Sequence, residues 1–130
     1  MTHTPIQVNT HHTKQRGDRA TALVNYDLIS RGYFTFLPTS ENCDYDLIAD
    51  TGILWRIQVK MVSRGNAIPS VTSWSDRSGS HRRKIDQTRF DMFAIVNEDC
   101  DRIAYCPPEM AGKVIRWEHP TSKQAYYWWA

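Results

Sequence analysis

The sequence has few cysteines, no long hydrophobic run and little net charge, and each of these shortages excludes some classes of protein. Cys43, Cys100 and Cys106 are an odd number without a metal-ligand spacing, which predicts reduced thiols and a cytoplasmic location. No stretch approaches the ~18 apolar residues of a membrane span. The first residues also lack the basic-then-apolar pattern of a secretory signal. We therefore expect no membrane association.

The composition is that of one globular domain. Of the 130 residues, 41% are hydrophobic and 23% are charged, which is ordinary for a folded protein with its own core. Residues 1–13 are polar and without periodicity, so a flexible N-terminal tail is expected there. There is no internal repeat. Residues 14–130 are therefore predicted to form a single domain.

The net charge of +2 is too small to indicate a nucleic-acid partner, but the charges are unevenly distributed. Residues 77–89 contain five basic side chains and one acidic one, whereas residues 91–109 contain five acidic side chains and one basic one. Such segregation can attract a polyanion to one surface of a nearly neutral molecule.

Hydrophobic periodicity predicts an α/β order of elements. A helix is expected over residues 16–31, where Gly32 supplies the stop, and a strand over 33–37, whose Phe34 and Phe36 are expected in the core. The later elements are a hairpin over 45–62, short strands over 67–72, 91–97, 102–106 and 113–117, a loop over 73–81 and a basic helix over 82–88.

The hairpin carries the chemistry. Thr51-Gly52 is a turn dipeptide between two apolar runs. Because strand side chains alternate between faces, Leu47 and Ala49 are expected to share a core with the alternate residues of the second strand. Asp46, Gln58 and Lys60 would then converge on the opposite face. A carboxylate, an amide oxygen and an ammonium placed together there could hold a hard cation and stabilise a phosphate.

Asp46 followed after twelve residues by Gln58-Val59-Lys60 resembles the PD-(D/E)XK nuclease motif, with Gln at the usual Asp/Glu position. Three further segments, 14–18, 31–33 and 90–96, resemble the small cyanobacterial intron homing endonucleases of this fold. The resemblance implies a restriction-endonuclease-like α/β core with a mixed central sheet flanked by helices. It also implies a Mg²⁺-dependent endonuclease that hydrolyses duplex DNA at a specific site, with Asp46, Gln58 and Lys60 as catalytic residues.

The metal would be Mg²⁺, held by Asp46 and the backbone carbonyl of Val59. The resembled family places a Glu on the first helix at the position of Thr21, so we expect Asp18, three residues earlier on the same helix face, to supply the missing carboxylate. Without it the site would bind metal weakly. The alternative interpretation is that Asp46 is a solvated residue at a strand edge and that Gln58 and Lys60 form the solvated face of an amphipathic strand.

Contacts with double-stranded DNA are expected from the basic side chains and from polar side chains of the 64–75 stretch, which are of the types that read base edges. The candidate DNA-binding residues are Lys14, Arg16, Arg19, Arg64, Asn66, Arg77, Arg82, Arg83 and Lys84. A solvated surface helix is the alternative interpretation of 82–84.

The chain ends in the aromatic cluster Tyr126-Tyr127-Trp128-Trp129, which is expected either to pack on the domain or to form a subunit interface. Cutting two strands requires two active sites, so a homo-oligomer, either a dimer or a tetramer, is predicted. Intron homing is the function favoured by the resemblance. The alternatives are a Holliday-junction-type nuclease and a catalytically silent DNA-binding protein of the same fold.

Overall fold

The computed structural model describes residues 13–40 and 42–117. One long helix comes first, and seven short strands and a single 3-10 turn follow it. The elements are α1 (Thr13–Ser30), β1 (Phe34–Phe36), β2 (Leu47–Asp50), β3 (Leu54–Met61), β4 (Val71–Asp76), β5 (Gly79–Lys84), β6 (Met92–Val96), β7 (Ile103–Cys106) and the 3-10 turn Pro108–Met110.

Five strands form a mixed sheet in the order β1-β2-β3-β6-β7. The β3 and β6 strands are parallel, and the other neighbours are antiparallel. This is the mixed central sheet of a restriction-endonuclease-like fold, as predicted. The predicted hairpin is also confirmed, since Leu47 lies opposite Ile57 and the turn consists of residues 51–53. No helix of the described part is long and apolar enough to cross a membrane.

Each face of the sheet has its own apolar cluster. The cluster under α1 contains Ala20, Val24 and Leu28 of the helix together with Leu47, Ala49, Ile57 and Val59 of the hairpin. The period-two alternation of the hairpin is therefore real, because one face of it is buried under a helix. The second cluster lies on the other face and contains Ile68, Ile85, Phe90, Phe93 and Ile95 among others.

The predicted basic helix over 82–88 and the predicted loop over 73–81 are both wrong. Residues 71–84 form a separate two-stranded antiparallel ribbon, β4–β5, in which Trp74 lies opposite His81. Gly79 has a φ of +120°, which a side-chain-bearing residue rarely adopts, and it directly follows the two-residue turn. The three basic residues alone carry little preference for a strand, so the pairing across the turn decides the structure.

Two smaller expectations also differ from the structure. Phe34 and Phe36 are 75% and 54% exposed, because the residue between them, Thr35, faces α1 and donates a hydrogen bond to Asn25 Oδ1 (2.6 Å). The 67–72 and 113–117 strands are reduced to a single bridge between Ala67 and Val114 and to the start of β4. The predicted tail and the aromatic C-terminus fall largely outside the described residues.

Candidate active site

The site forms where β2 begins beside β3. The backbone N–H of Asp46 donates to the carbonyl oxygen of Ile57 (2.8 Å), directly before the β2–β3 ladder begins at the Leu47–Ile57 pair. The side chain of Asp46 then replaces a backbone carbonyl as the hydrogen-bond acceptor for β3, since its Oδ2 accepts from the backbone N–H of Val59 (2.7 Å). A carboxylate therefore occupies the edge of β3 at which the neighbouring strand has not yet started.

This hydrogen bond also orients the carbonyl of Val59. In an extended strand the N–H and the C=O of one residue point to the same side. The Val59 N–H is turned towards Asp46, so the Val59 carbonyl oxygen faces the same edge. The edge thus presents two oxygen donors, one from a side chain and one from the backbone.

Gln58 and Lys60 lie on the sheet face opposite α1. Their β6 neighbours in the parallel pairing are Phe93 and Ile95, both of which belong to the second apolar cluster. Gln58 and Lys60 therefore lie on the face away from the helix, and Asp46 lies close enough for its charge to act on Lys60. Their common catalytic role stays a prediction. Gln58 lines a cleft of about 450 Å³ between the sheet and the β4–β5 ribbon.

Asp46 and Lys60 are both partly buried, and each perturbs the other. Burial raises the pKa of Asp46, while the Val59 N–H and the charge of Lys60 oppose that rise. Burial lowers the pKa of Lys60, and the charge of Asp46 opposes the change. Both charged forms are therefore costly for the fold, which is typical of functional sites.

The two charges do not neutralise each other by contact. The ion pairs of the described residues do not include one between Asp46 and Lys60. Asp46 Oδ1 and Lys60 Nζ have no hydrogen-bond partner in the described part of the chain, and no fully buried polar side-chain atom there lacks a partner. Both atoms must therefore reach solvent.

The donor set fits a weakly held Mg²⁺. Oxygen donors suit this ion, which commonly takes one or two carboxylates and fills its remaining positions with water and phosphate oxygens. Asp46, the carbonyl of Val59 and the amide oxygen of Gln58 are all oxygen donors. Among the described residues, however, no group of three His, Cys, Asp or Glu side chains could hold a metal.

The helix contributes no carboxylate to this edge. Thr21 donates its hydroxyl to the carbonyl oxygen of Gly17 within α1 (3.2 Å). Asp18 is exposed on the first turns of the helix, and it is not among the charges that perturb the pKa of Asp46. The structure thus brings Asp46, Val59, Gln58 and Lys60 together but leaves Asp18 apart from them.

The nine candidate DNA-binding residues are scattered over several elements. Lys14, Arg16 and Arg19 lie at the start of α1, Arg64 lies in the loop after β3, and Arg77 lies in the turn of the ribbon. Asn66 is already engaged, because its Oδ1 accepts a hydrogen bond from Trp117 Nε1 (3.3 Å). The remaining three residues, Arg82, Arg83 and Lys84, lie on β5.

Two contacts near the site were not predicted from the sequence. Asp44 pairs with Arg83 (3.2 Å) and lies 3.7 Å from Arg89 Nε, so it fastens the ribbon to the loop before β2. Asp91 accepts hydrogen bonds from the backbone N–H, Nε and Nη2 of Arg56, which fixes the start of the β3–β6 pairing. Both contacts join residues more than 30 positions apart, so no local pattern could have indicated them.

The fold and the site together define a restriction-endonuclease-like nuclease core. Residues 11–125 match the family described as PD-(D/E)XK endonuclease, and the chain belongs to that family. It is therefore a nuclease, as predicted.

A solved structure of similar fold is that of a bacterial homing endonuclease, I-Ssp6803I. The TM-score is 0.66 at 19% identity, and the alignment covers 88% of this chain and 87% of that one. No protein among the curated sequences matches this chain.

Proposed function

We propose that this protein is a Mg²⁺-dependent endonuclease that hydrolyses phosphodiester bonds at specific sites in duplex DNA, with intron homing as its biological role. The observation that carries the proposal is the Asp46 carboxylate bound to the Val59 N–H at 2.7 Å, with Lys60 on the adjoining face. The homing endonuclease of similar fold supports the biological role. The three cysteines, which are free thiols, support a cytoplasmic location.

Each residue of the site has one task in this proposal. Asp46 Oδ1, the Val59 carbonyl oxygen and the Gln58 amide oxygen hold the ion. Bound Mg²⁺ supplies Lewis-acid stabilisation of the charge that develops on the phosphate. The Lys60 ammonium orients the attacking water or stabilises the phosphate oxygens, and its reach to solvent gives it access to both. Asp18, which no described contact joins to these residues, would contribute to metal binding only indirectly.

The test is cleavage of a supercoiled plasmid library that carries host DNA, with Mg²⁺ present and with Asp46→Ala alongside. Discrete fragments that the variant fails to produce would support the proposal. A ladder of random cuts, or cuts that persist in Asp46→Ala, would refute it. A duplex and a four-way junction of the same sequence should be compared, because preference for the junction would indicate the junction-type nuclease instead.

A second function, that of a catalytically silent DNA-binding protein, is favoured by one observation. Thr21 places a hydroxyl bonded to its own helix where the family has a carboxylate, and no group of three potential metal ligands exists among the described residues. Salt-sensitive DNA binding without cleavage by the unmodified protein would select this function.

We further propose that the active unit is a homo-oligomer. The sheet face opposite α1 carries exposed apolar side chains at its β1 end, namely Phe34, Phe36 and Leu54 (60% exposed). A second copy of this chain is the proposed occupant, since one chain offers one Asp46–Lys60 site and a duplex has two strands to cut.

A further inference from the structure

The β4–β5 ribbon has two faces of opposite chemical character. Residues directly opposite each other in an antiparallel pair share a face, so Thr72, Trp74 and Asp76 share one face with His81 and Arg83. The other face carries Ser73, Ser75, Ser80, Arg82 and Lys84. We name these the inner face and the outer face, because Thr72, Trp74, Asp76 and Arg83 of the first line the cleft beside Gln58, whereas the second contributes Ser73 and Ser75 to the lining but neither of its basic residues.

The aromatic and charged side chains of the inner face contact one another and Asp44. The rings of Trp74 and His81 are stacked with centroids 5.2 Å apart, and the guanidinium of Arg83 lies 5.5 Å from the Trp74 centroid. Arg83 also pairs with Asp44, and Asp76 Oδ1 lies 2.9 Å from His81 Nε2. The Arg83–Asp44 pair holds the ribbon against the loop before β2, and the other contacts stiffen the ribbon itself.

The charge of the cleft argues against the inner face of the ribbon as the surface that reads base edges, which is a separate task from binding the scissile phosphate beside Gln58. The lining of the cleft includes the acidic Asp44, Asp76 and Asp86 against the basic Arg83 and Arg89. Three carboxylates would repel a phosphate backbone more than two guanidiniums, both already close to Asp44, would attract it.

The charge of the outer face is the opposite of that of the cleft. Arg82 and Lys84 are exposed and form no ion pair with any described residue, and no acidic side chain shares their face. Ser73, Ser75 and Ser80 add three small hydroxyl groups, of which only Ser75 and Ser80 contact each other (3.4 Å). Two free cations among short hydrogen-bonding side chains are suited to a DNA groove.

The dimensions of the ribbon also fit the major groove of DNA. A two-stranded ribbon is of a size that enters the major groove. Residues two apart on a strand are about 6.8 Å apart, and two base steps are also about 6.8 Å. Arg82 and Lys84 therefore match positions two base pairs apart. The base of the ribbon is fixed to the second apolar cluster through Ile85, whose N–H donates to the Ser70 carbonyl oxygen (2.9 Å).

We propose that the outer face of the ribbon reads the DNA sequence from the major groove, with Arg82 as the guanine-reading residue and Arg83 as a positioning residue that seats the ribbon through Asp44 and Trp74. This inference rests on the proposed function, and it assigns adjacent arginines opposite roles. Arginine can donate two parallel hydrogen bonds to guanine O6 and N7, which lysine cannot reproduce in the same geometry. The contact of Arg83 with Asp44 and Trp74 needs only a cation.

Lysine substitution therefore separates the two roles. The experiment selects bound duplexes from a pool of 40-bp DNA with a randomised centre, in EDTA, and sequences them. The unmodified protein is expected to select a motif that contains at least one fixed guanine. Arg82→Lys should lose about ten-fold to a hundred-fold of the preference at that guanine. Its affinity for unselected duplex should stay within about two-fold, because the charge is retained.

Arg83→Lys should select the same motif as the unmodified protein. Arg83→Ala should lower the base preference at every position read by the ribbon, and it should speed hydrogen exchange over residues 71–84. Lys84→Ala should lower the slope of log K against log salt by about one. Arg31→Ala is the matched control, since Arg31 ends α1 on the other side of the sheet and should change neither motif nor slope.

The inference is overturned if the unmodified protein selects no motif, or if Arg82→Lys and Arg82→Ala select the same motif as the unmodified protein. It is also overturned if Arg83→Lys loses the motif as fully as Arg83→Ala. The selection uses no Mg²⁺ and no cleavage, so failure of the nuclease proposal would appear separately, as absence of cutting of the selected duplexes when Mg²⁺ is added.

Discussion

At the scale of residues, Asp46 and Lys60 are charged side chains in partly buried positions, where burial disfavours their charged forms. Burial raises the pKa of Asp46 and lowers the pKa of Lys60, and the two groups do not form a contact pair that would offset the cost. The Val59 N–H is the one compensating hydrogen bond of the carboxylate in the described structure. A site of this kind sacrifices stability for function.

Replacing both charges should therefore separate stability from activity. Asp46→Asn with Lys60→Met is expected to abolish cleavage while leaving the protein neutral in stability or more stable by about 1–2 kcal/mol, as happens when partly buried charges give way to neutral groups of similar size. The Asn side chain can still accept the Val59 N–H. Urea unfolding and plasmid cleavage measure the two effects, and a double variant that unfolds more easily would contradict the argument.

The same two groups set the pH dependence. Mg²⁺ binding requires ionised Asp46, so Mg²⁺ affinity should rise with pH through a pKa above the usual range for Asp. Cleavage requires protonated Lys60, so the rate at saturating Mg²⁺ should fall through a pKa below the usual range for Lys. Because the pKa of Asp46 is raised in the folded state, its contribution to stability is full below the ordinary Asp pKa and is lost as pH rises through the folded value. The stability advantage of Asp46→Asn should grow across that interval, and a constant difference would refute the raised pKa.

Metal affinity should be weak, because Asp46 is the one carboxylate that residues 13–40 and 42–117 place at the edge of β3. We expect millimolar Mg²⁺ to be required, and sub-micromolar affinity by calorimetry would contradict this. Thr21→Glu adds the carboxylate that the family has at this helix position and should lower the Mg²⁺ concentration for half-maximal cleavage by about ten-fold, equivalent to ~1.4 kcal/mol. Thr21→Gln is the control, since it adds similar bulk without charge.

At the scale of elements, α1 and β7 are joined by a buried hydrogen bond. Tyr105 is fully buried, and its hydroxyl donates to Asp27 Oδ2 (2.7 Å), which also accepts from Arg31 Nε (2.9 Å). Burial and this carboxylate together raise the pKa of Tyr105, so the phenol stays protonated at any working pH. The bond fixes the helix across the sheet, on the face away from Gln58 and Lys60.

Tyr105→Phe should lower the free energy of unfolding by about 1–2 kcal/mol, the usual loss when one partner of a buried hydrogen bond to a charged group is removed. Cleavage at low temperature should be unchanged, because the lost bond is on the other side of the sheet from the site. Tyr26→Phe is the matched control, since Tyr26 is 70% exposed on the same helix. Equal effects of the two substitutions would rule out the proposed role of the Tyr105 hydroxyl.

At the scale of the whole molecule, the uncovered apolar face at β1 predicts association. The unmodified protein is expected to sediment as a dimer or tetramer. Phe34→Ser with Phe36→Ser should shift it towards monomer and convert double-strand cutting into nicking, since each chain carries one site. Ile29→Ser removes an exposed apolar side chain from α1 and serves as the control. A monomeric unmodified protein that still cuts both strands would contradict the oligomer proposal.

The sequence by itself determined the hairpin, the residues that converge on it and the family. A period of two over Leu47–Val59 is a local property, and a helix covering one face makes it unambiguous. It could not determine the ribbon, because Arg82, Arg83 and Lys84 have no strong local preference and pair with β4 only across a turn that Asp76 and Gly79 complete.

Tertiary structure alone decided which side of each strand meets protein and which meets solvent. It exposed Phe34 and Phe36, which their composition predicts as core, because within the described part of the chain α1 covers β1 on the Thr35 side alone. It also separated Arg82 from Arg83, which are indistinguishable in sequence. Asp44, 39 residues away, engages one of them and leaves the other facing solvent. Contacts over such distances depend on the whole chain, and a local pattern carries no information about them.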